Sequence, residues 1–302
     1  MSKMSMRVVV GLVVGGLALA SWVAVSRVAA QNTTTGTWTA SVSKDKDRIN
    51  LNFERRTDKG GHHQHGQTYD FSELQGLSRE QTNSGTVSFS LVREAGRIDC
   101  EGSFQNGTGS GTFRFTGNAA FVSAMKSRGF NFEPDRNADD EDRGDDRLFA
   151  ATTLNVTTAL ADDLASAGLG KLKTEDLFKA AIFHVDSKFA REMKASGFEL
   201  EMEDLVKARI FKIHPEFVRQ VAQMGFEKES FDSLVKMQIF KVTPEFITEV
   251  RNEGLTNLEI EDLVKLRIFK IDAAYIRQAK SEGVPLEVER LVERRIGVAR
   301  RQ

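Results

Sequence analysis

The chain has 302 residues, of which 40% are hydrophobic and 28% are charged, so it can bury a core. Its length predicts about two domains of roughly 150 residues each. The formal charge is −1, with 42 basic and 43 acidic residues, which excludes the overall positive field that attracts nucleic acid or an anionic membrane surface. Any binding must therefore come from local surfaces.

The N-terminal segment 1–30 is typical of an export signal. Lys3 and Arg7 give a positive start, and an uncharged, mostly apolar run follows at 8–25. Small residues then lead to a cleavage point after Ala30. We therefore expect an exported, periplasmic protein. The alternative is that residues 8–25 stay uncleaved and anchor the protein to the inner membrane, since this run is about as long as a short membrane span.

Residues 31–118 are predicted to form an antiparallel β domain. Apolar and polar residues alternate there, which places each apolar set on one face of a pleated strand. The alternating sets are Trp38, Ala40 and Val42; Ile49, Leu51 and Phe53; Val87, Phe89 and Leu91; Ile98, Cys100 and Phe104; and Phe113 and Phe115. Turn signals separate these sets, and the strongest is Asn106–Gly107, where both residues tolerate positive φ. The pattern predicts a meander of five or six strands with one apolar and one wet face.

A histidine cluster lies within the stretch GGHHQHG at 60–66. Three of the five histidines of the chain are here, namely His62, His63 and His65. Neutral imidazoles are good ligands for zinc, copper or nickel, so these three are candidate metal ligands. Glycines flank the cluster, which predicts a mobile, solvated loop, with weak metal binding as the alternative. No other cofactor is expected.

Residues 151–302 contain a sequence repeat of about 29 residues. The recurring glycines stand 29, 28, 29 and 29 residues apart, at Gly168, Gly197, Gly225, Gly254 and Gly283. This sustained period predicts an α-solenoid of helical hairpins, because two short helices cannot bury their apolar faces without stacking on neighbouring units. A degenerate first unit with an acidic insertion is predicted at 119–150. Either its segment 121–130 covers the apolar face of the sheet, or the sheet closes on itself.

The unit 242–270 illustrates how one hairpin is encoded. Thr243 can cap the first helix, Pro244 suits its first turn, and Gly254 ends it in the left-handed conformation. A second helix is predicted at about 259–270. Its predicted buried stripe is Ile260, Leu263, Val264 and Ile268. Together with the β domain, these hairpins predict an α+β fold.

One sequence motif in the second helix of the hairpins occurs twice in almost identical form. EDLVKARIFKI at 203–213 returns as EDLVKLRIFKI at 261–271. Cations near a helix C-terminus are expected on dipole grounds, and acids one turn earlier favour pairing at i,i+4. The same cations, repeated along a stack, are also candidates for partner binding. They are Lys207, Arg209, Lys212, Lys265, Arg267 and Lys270.

Three stretches together resemble a family of bacterial exported proteins. They are GRIDCEGSFQNGTGSGTFRFTGN at 96–118, AAFVSAMKSRGF at 119–130, and the repeat unit typified by TPEFITEVRNEGL and EDLVKLRIFK within 243–270. Similar repeats occur in the C-terminal extracytoplasmic part of membrane zinc metallopeptidases of the β-lactam-sensor, antirepressor type. The resemblance covers roughly residues 35–298 and implies an envelope location and an extracytoplasmic recognition or scaffold role. It implies no catalytic residue, because this sequence contains no His-Glu-x-x-His motif.

These observations favour a non-catalytic envelope protein that presents a helical-repeat surface to protein or peptide partners. Nucleic acid is not expected as a partner, and the membrane only through an uncleaved N-terminal segment. Two alternatives stay open. One is a regulatory or sensory partner of a membrane peptidase or repressor system, which the resemblance implies. The other is a metal-dependent hydrolase that uses His62, His63 and His65.

Overall fold

The computed structural model describes residues 33–44, 47–56, 62–133, 144–226 and 229–297. The predicted export segment and most of the predicted acidic insertion lie outside these residues. The chain from Asn32 to Gln302 forms one compact unit. Its described residues have the predicted α+β class, with seven strands followed by twelve α-helices. None of these helices is long and apolar enough to span a lipid bilayer.

The seven strands form one antiparallel sheet. They are β1 (Thr33–Val42), β2 (Arg48–Arg56), β3 (His62–Asp70), β4 (Leu74–Gln75), β5 (Ser84–Arg93), β6 (Gly96–Gln105) and β7 (Thr108–Gly117). Their order across the sheet is β3-β2-β1-β7-β6-β5-β4. The predicted number of five or six strands is therefore wrong, because the apolar alternation marks neither the histidine-rich β3 nor the two-residue β4.

The sheet is strongly curled. β3 and β4 lie at its opposite edges, yet only residues 71–73 separate them along the chain. Four residue steps span at most about 14 Å, so the two edges approach each other at this end. On the concave face, the Trp38 ring of β1 lies 5.3 Å from the Phe89 ring of β5, although β7 and β6 separate these two strands.

Large and small residues alternate on the concave face, which lets its aromatic rings fit. Trp38 pairs with Phe53 on β2 and with Gly111 on β7. A Cβ atom at Gly102 would lie 2.6 Å from the Trp38 ring, which is closer than real Cβ atoms approach. The glycine therefore makes room for the indole, whose Nε1 donates a hydrogen bond to the Glu101 carbonyl oxygen at 3.2 Å.

Twelve α-helices follow the sheet in the described residues. They are α1 (Ala119–Ser127), α2 (Gly144–Thr153), α3 (Thr158–Ala165), α4 (Thr174–Phe183), α5 (Ser187–Ala195), α6 (Met202–Ile210), α7 (Pro215–Gln223), α8 (Phe231–Ile239), α9 (Pro244–Asn252), α10 (Ile260–Ile268), α11 (Ala273–Ser281) and α12 (Val288–Ile296). Most of the helix pairs in closest contact are two positions apart in the chain. Thus α3 packs on α1 and α5, α4 on α6, α9 on α11, and α10 on α8 and α12, while α3 also contacts the next helix, α4.

The local signals predicted for 242–270 are confirmed with one exception. Thr243 accepts a hydrogen bond from the Phe246 backbone N–H at 3.3 Å and so caps α9. Gly254 has a φ of +110° and ends that region of helix in the left-handed conformation. Ile260, Leu263 and Val264 of α10 are buried as predicted. Ile268 is not buried, and its exposure is described below.

The concave face of the sheet is covered by α2. The Phe149 ring of α2 lies 5.3 Å from the rings of both Phe113 and Phe115 on β7. At the edge strand β3, the Tyr69 hydroxyl donates a hydrogen bond to the Thr153 carbonyl oxygen at 3.1 Å. The side chains of the sheet and of the helices consequently share one hydrophobic core.

The segment predicted to cover the sheet, 121–130, instead forms most of α1 and the turn after it. Phe121 packs against Phe132, with ring centroids 5.1 Å apart, and Phe132 lies 5.8 Å from Phe178 of α4. The covering helix α2 therefore begins inside the predicted first unit, at the end of its acidic insertion. The predicted boundary at residue 150 falls within α2.

A second junction joins the sheet to the helices. The Glu94 carboxylate, in the turn between β5 and β6, accepts hydrogen bonds from the Thr158 backbone N–H at 2.8 Å and from its hydroxyl at 2.6 Å. Thr158 opens α3, so a side chain of the sheet satisfies a free N–H group at the start of this helix. Asn118 adds a hydrogen bond from its side-chain amide to the Glu94 carbonyl oxygen at 2.9 Å.

We predict that Phe149→Ala lowers the free energy of unfolding by about 3–5 kcal/mol, as for other phenylalanines removed from a packed core. Urea denaturation followed by far-UV circular dichroism measures the change. The control is Val92→Ala on β5, whose exposed side chain should contribute about 0.5 kcal/mol or less. Equal effects of the two substitutions would contradict the central position of Phe149.

Candidate interaction surface

Hydrogen bonds join the ends of the even-numbered helices α8, α10 and α12. Arg267 of α10 donates a hydrogen bond from Nε to the Phe240 carbonyl oxygen at the end of α8, at 3.2 Å. Arg295 of α12 makes the corresponding bond to the Phe269 carbonyl oxygen at the end of α10, at 3.0 Å. We call these helix ends, together with the ends of α4 and α6, the helix-end edge. It comprises residues 182–184, 210–212, 239–241, 268–270 and 295–297.

Lys207 and Lys265, both predicted as partner-binding cations, have acidic partners within the helices. The Lys207 Nζ lies 3.1 Å from Asp204 in the same helix. The Lys265 Nζ lies 2.8 Å from Glu289 of α12 and 4.0 Å from Asp262 of its own helix. The hydrogen bond to Glu289 raises the pKa of the Lys265 ammonium, since it stabilises the charged form.

The same kind of ion pair links other even-numbered helices. Lys236 of α8 lies 2.9 Å from Glu261 of α10, and this hydrogen bond lowers the pKa of the Glu261 carboxyl. Lys179 of α4 pairs likewise with Glu203 of α6. The predicted pairing at i,i+4 is thus replaced here by pairing at i,i+3 and between neighbouring helices. These lysines contribute to the contact between helices.

Arg209 and Arg267, two further candidates, lie over aromatic rings. The guanidinium carbon of Arg209 lies 3.8 Å from the centroid of the Phe189 ring of α5. That of Arg267 lies 4.8 Å from the Phe246 ring of α9. A cation above an aromatic face is attracted by the ring quadrupole. Since Arg267 also binds the Phe240 carbonyl oxygen, it holds α8, α9 and α10 together.

Lys212 and Lys270, the last two candidates, follow the ends of α6 and α10. Their φ angles are +57° and +53°, and their side chains are exposed. Within the part of the chain that the structure describes, neither ammonium has a hydrogen-bond or ion-pair partner. Lys241 lies in the same conformation after α8, with a φ of +56°. Lys241 is not among the predicted cations because it lies outside the two nearly identical motifs. Its spacing of 29 residues from both Lys212 and Lys270 identifies it as equivalent to them.

The helix-end edge also carries an unpredicted set of apolar side chains. Five isoleucines at or next to the last residue of α4, α6, α8, α10 and α12 are between 48% and 53% exposed. They are Ile182, Ile210, Ile239, Ile268 and Ile296. The prediction that Ile268 belongs to the buried stripe of its helix is therefore wrong. Its helical spacing fits a core position, but α10 ends there, and half of the side chain stays uncovered.

The histidine cluster lies on β3 and not on a loop, so that prediction is wrong. His63 and His65 pair with Arg55 and Phe53 of β2. The His65 ring packs on the sheet side of α2, 5.3 Å from the Phe149 ring. Among the described residues, no group of three or more His, Cys, Asp or Glu side chains is placed to hold a metal ion. The side chain of His62 lies outside the described part, so metal binding by all three histidines stays a prediction.

Comparison with known proteins gives no relative: no protein-family model, no curated protein and no solved structure matches this chain.

We predict that Arg267→Ala lowers the free energy of unfolding by about 1–2 kcal/mol. The reason is that the substitution removes a charge-assisted hydrogen bond and a cation–π contact. The control is Lys270→Ala in the same motif, which keeps a Cβ at the same φ and removes no hydrogen bond, ion pair or ring contact with a described residue. Its effect should be about 0.5 kcal/mol or less. Urea denaturation compares the two variants, and a Lys270→Ala effect as large as that of Arg267→Ala would refute this assignment.

We also predict a contribution of His65 to the pH dependence of stability. Burial lowers the pKa of His65 below its usual 6.5, and the nearby charges of Arg55 and His63 lower it further. The unfolded chain therefore binds a proton at a pH where folded His65 does not. This part of the stability is present above about pH 6.5 and is lost as the pH falls towards the folded pKa.

Urea midpoints from pH 8 to pH 5 test this prediction. The decline in stability below pH 6.5 should be shallower in His65→Leu than in the wild type. The control is Val92→Ala on β5, which removes no titratable group and should keep the slope of the wild type. An unchanged slope in His65→Leu would show that its protonation is not coupled to folding.

Proposed function

We propose that the protein is a non-catalytic binding or scaffold protein of the bacterial cell envelope. In this proposal, its helices form a solenoid of hairpins of about 29 residues that presents an extended surface to protein or peptide partners. The main support is the helix-end edge, where the same kinds of exposed side chain recur on successive even-numbered helices. A surface that repeats in this way suits a partner that runs along it.

The arrangement of contacts also supports a stack. Most of the helix pairs in closest contact are two positions apart in the chain, and ion pairs join α4 to α6, α8 to α10, and α10 to α12. In a solenoid each unit contacts mainly its neighbours, and the end units need a cover for their apolar faces. The curled sheet supplies this cover at the α2 end through Phe149.

The envelope location rests on the sequence of residues 1–30. Export signals combine a positive start, an apolar run and small residues before the cleavage point, and this segment has all three. An exported scaffold would meet its partners in the periplasm, whether the segment is cleaved or anchors the chain.

Site-specific photo-crosslinking in the whole chain tests the proposal. Single photoreactive residues replace exposed side chains on the helices, such as Gln220, Glu249 and Lys280, or on the sheet, such as Thr39 and Thr68. Irradiation with envelope extract should give protein adducts from helix positions, and from the helix-end edge, more often than from sheet positions. Adducts confined to the sheet, or no adduct from any helix position, would contradict the proposed function.

A further inference from the structure

We propose, on the basis of the proposed function, that the helix-end edge binds an extended acidic peptide segment with an aliphatic side chain at about every third residue. The exposed isoleucines are the apolar contacts for this segment. The unpaired lysines at the ends of α6, α8 and α10 are the contacts for its carboxylates.

The apolar contacts are unusually regular for exposed positions. All five even-numbered helices from α4 to α12 carry an isoleucine at their C-terminal end, with about half of each side chain exposed to water. The residue at the corresponding place in α2 is Thr153, which stands 29 residues before Ile182. Thr153 is buried, and its carbonyl oxygen binds Tyr69 of the sheet. The isoleucine is thus absent where the sheet covers the helix end, and present where the helix end is open.

The charge of the edge favours a negatively charged partner. Lys212, Lys241 and Lys270 have no hydrogen-bond or ion-pair partner among the described residues. Each has a φ near +55°, a conformation in which a side chain is disfavoured. Glycine is the usual residue at such a position, and glycine follows the odd-numbered helices at Gly225 and Gly254. Lysine occurs at these positions although their backbone conformation disfavours it, which indicates that the lysine side chain has a function.

The acids near the same edge already have partners. Asp186 and Asp272 accept hydrogen bonds from backbone N–H groups at the starts of α5 and α11, at 2.7 and 2.8 Å. Glu216 pairs with Arg219 in α7. Hydrogen bonds from its own backbone and from Thr243 lower the pKa of the Glu245 carboxyl. Unlike these carboxylates, the lysine ammonium groups of the edge have no hydrogen-bond or ion-pair partner among the described residues, and a carboxylate is their complement.

A groove between two helix ends brings these groups together. It has a volume of about 380 Å³ and runs between the ends of α8 and α10. Ile239 and Lys241 line one side of it, and Arg267 and Lys270 line the other. Asp272 also lines it, and its carboxylate accepts the hydrogen bond from the Tyr275 backbone N–H. One site thus offers an aliphatic surface next to two unpaired ammonium groups, which suits a short apolar side chain followed by a carboxylate.

The spacing of the edge suits an extended peptide. Packed helices lie roughly 8–10 Å apart, so successive isoleucines recur at about this distance. A polyproline II helix advances about 9 Å per turn of three residues. A peptide in this conformation therefore presents the same face to each helix end in turn, with one aliphatic and one acidic side chain per step.

Binding of a defined peptide to the whole chain tests the proposal. The probe is a fluorescent 15-residue peptide made of five Leu-Glu-Pro triplets, in which proline favours the extended helix (length chosen to span about five steps). Two matched peptides replace every glutamate by lysine or scramble the order of the residues. Fluorescence anisotropy at low ionic strength should give at least tenfold tighter binding of the Leu-Glu-Pro peptide than of either control peptide.

Two pairs of substitutions locate the site. Ile239→Thr with Ile268→Thr keeps β-branched side chains and should weaken binding at least tenfold, about 1.4 kcal/mol. Lys241→Glu with Lys270→Glu should weaken it by at least as much and reduce its dependence on salt. The matched controls are Val92→Thr, an exposed valine of the sheet, and Lys171→Glu with Lys280→Glu, exposed lysines outside the edge. The controls should bind as the wild type does, and circular dichroism checks that every variant is folded.

Three results would overturn the inference. The first is equal binding of the Leu-Glu-Pro and scrambled peptides, and the second is wild-type affinity in the folded edge variants. The third is that the wild type binds no peptide but self-associates or binds phosphatidylglycerol vesicles, and that the isoleucine variant loses this property. The edge would then face a second copy or a membrane. If any of these results is obtained but photo-crosslinking still gives protein adducts at helix positions outside the edge, the inference about the edge is wrong and the proposed function still stands.

Discussion

The contact between Phe149 of α2 and the concave face of the sheet is the interaction on which the rest of the structure depends. The curled sheet turns a set of aromatic rings inward, and α2 is the element that covers them. Without this cover, a large apolar surface would be exposed to water. The same contact also stabilises the helical part, because it gives α2 an apolar neighbour. One side chain therefore stabilises both halves of the chain.

The position of Phe149 explains how a sheet and a set of hairpins can share one core. Phe149 stands 29 residues before Phe178 of α4, and Leu148 stands 29 residues before Leu177. Leu148 and Leu177 are both buried. In the proposed solenoid, the sheet therefore takes the place that a preceding hairpin would take. Further along, cross-helix ion pairs such as Lys236–Glu261 add only modest energy, since exposed pairs contribute about 0–1 kcal/mol each.

The sequence predicts those elements whose own residues carry a strong period or an unambiguous turn. The concave-face residues Trp38 and Phe115 are buried, and the turn at Asn106–Gly107 has positive φ at both residues. Strand β3 escapes prediction because its inward positions include His63 and His65, so its apolar alternation is weak. It forms because β2 offers an edge to pair with, and pairing of this kind depends on context more than on local preference.

The candidate site also could be predicted only in part, because its properties depend on contacts between helices. The cations could be found from the repeated motif, but which of them are free depends on neighbours in other helices. Lys207 and Lys265 form ion pairs with acids, whereas Lys212 and Lys270 form none with the described residues. Helical spacing alone places Ile268 on the buried stripe. Only the structure shows that the helix ends before a neighbour covers it.

The left-handed lysines connect the proposed binding edge with the energetics of the fold. A residue with a Cβ in this conformation costs about 1 kcal/mol relative to glycine, and the chain has it at Lys212, Lys241 and Lys270. Each lysine follows an exposed isoleucine by two residues. Charges beside exposed apolar side chains hinder uncontrolled association, so the lysines would keep the open edge soluble. In the proposed complex the same charges attract a carboxylate. The lysines would therefore both prevent non-specific association of the apolar edge and determine its specificity for acidic peptides.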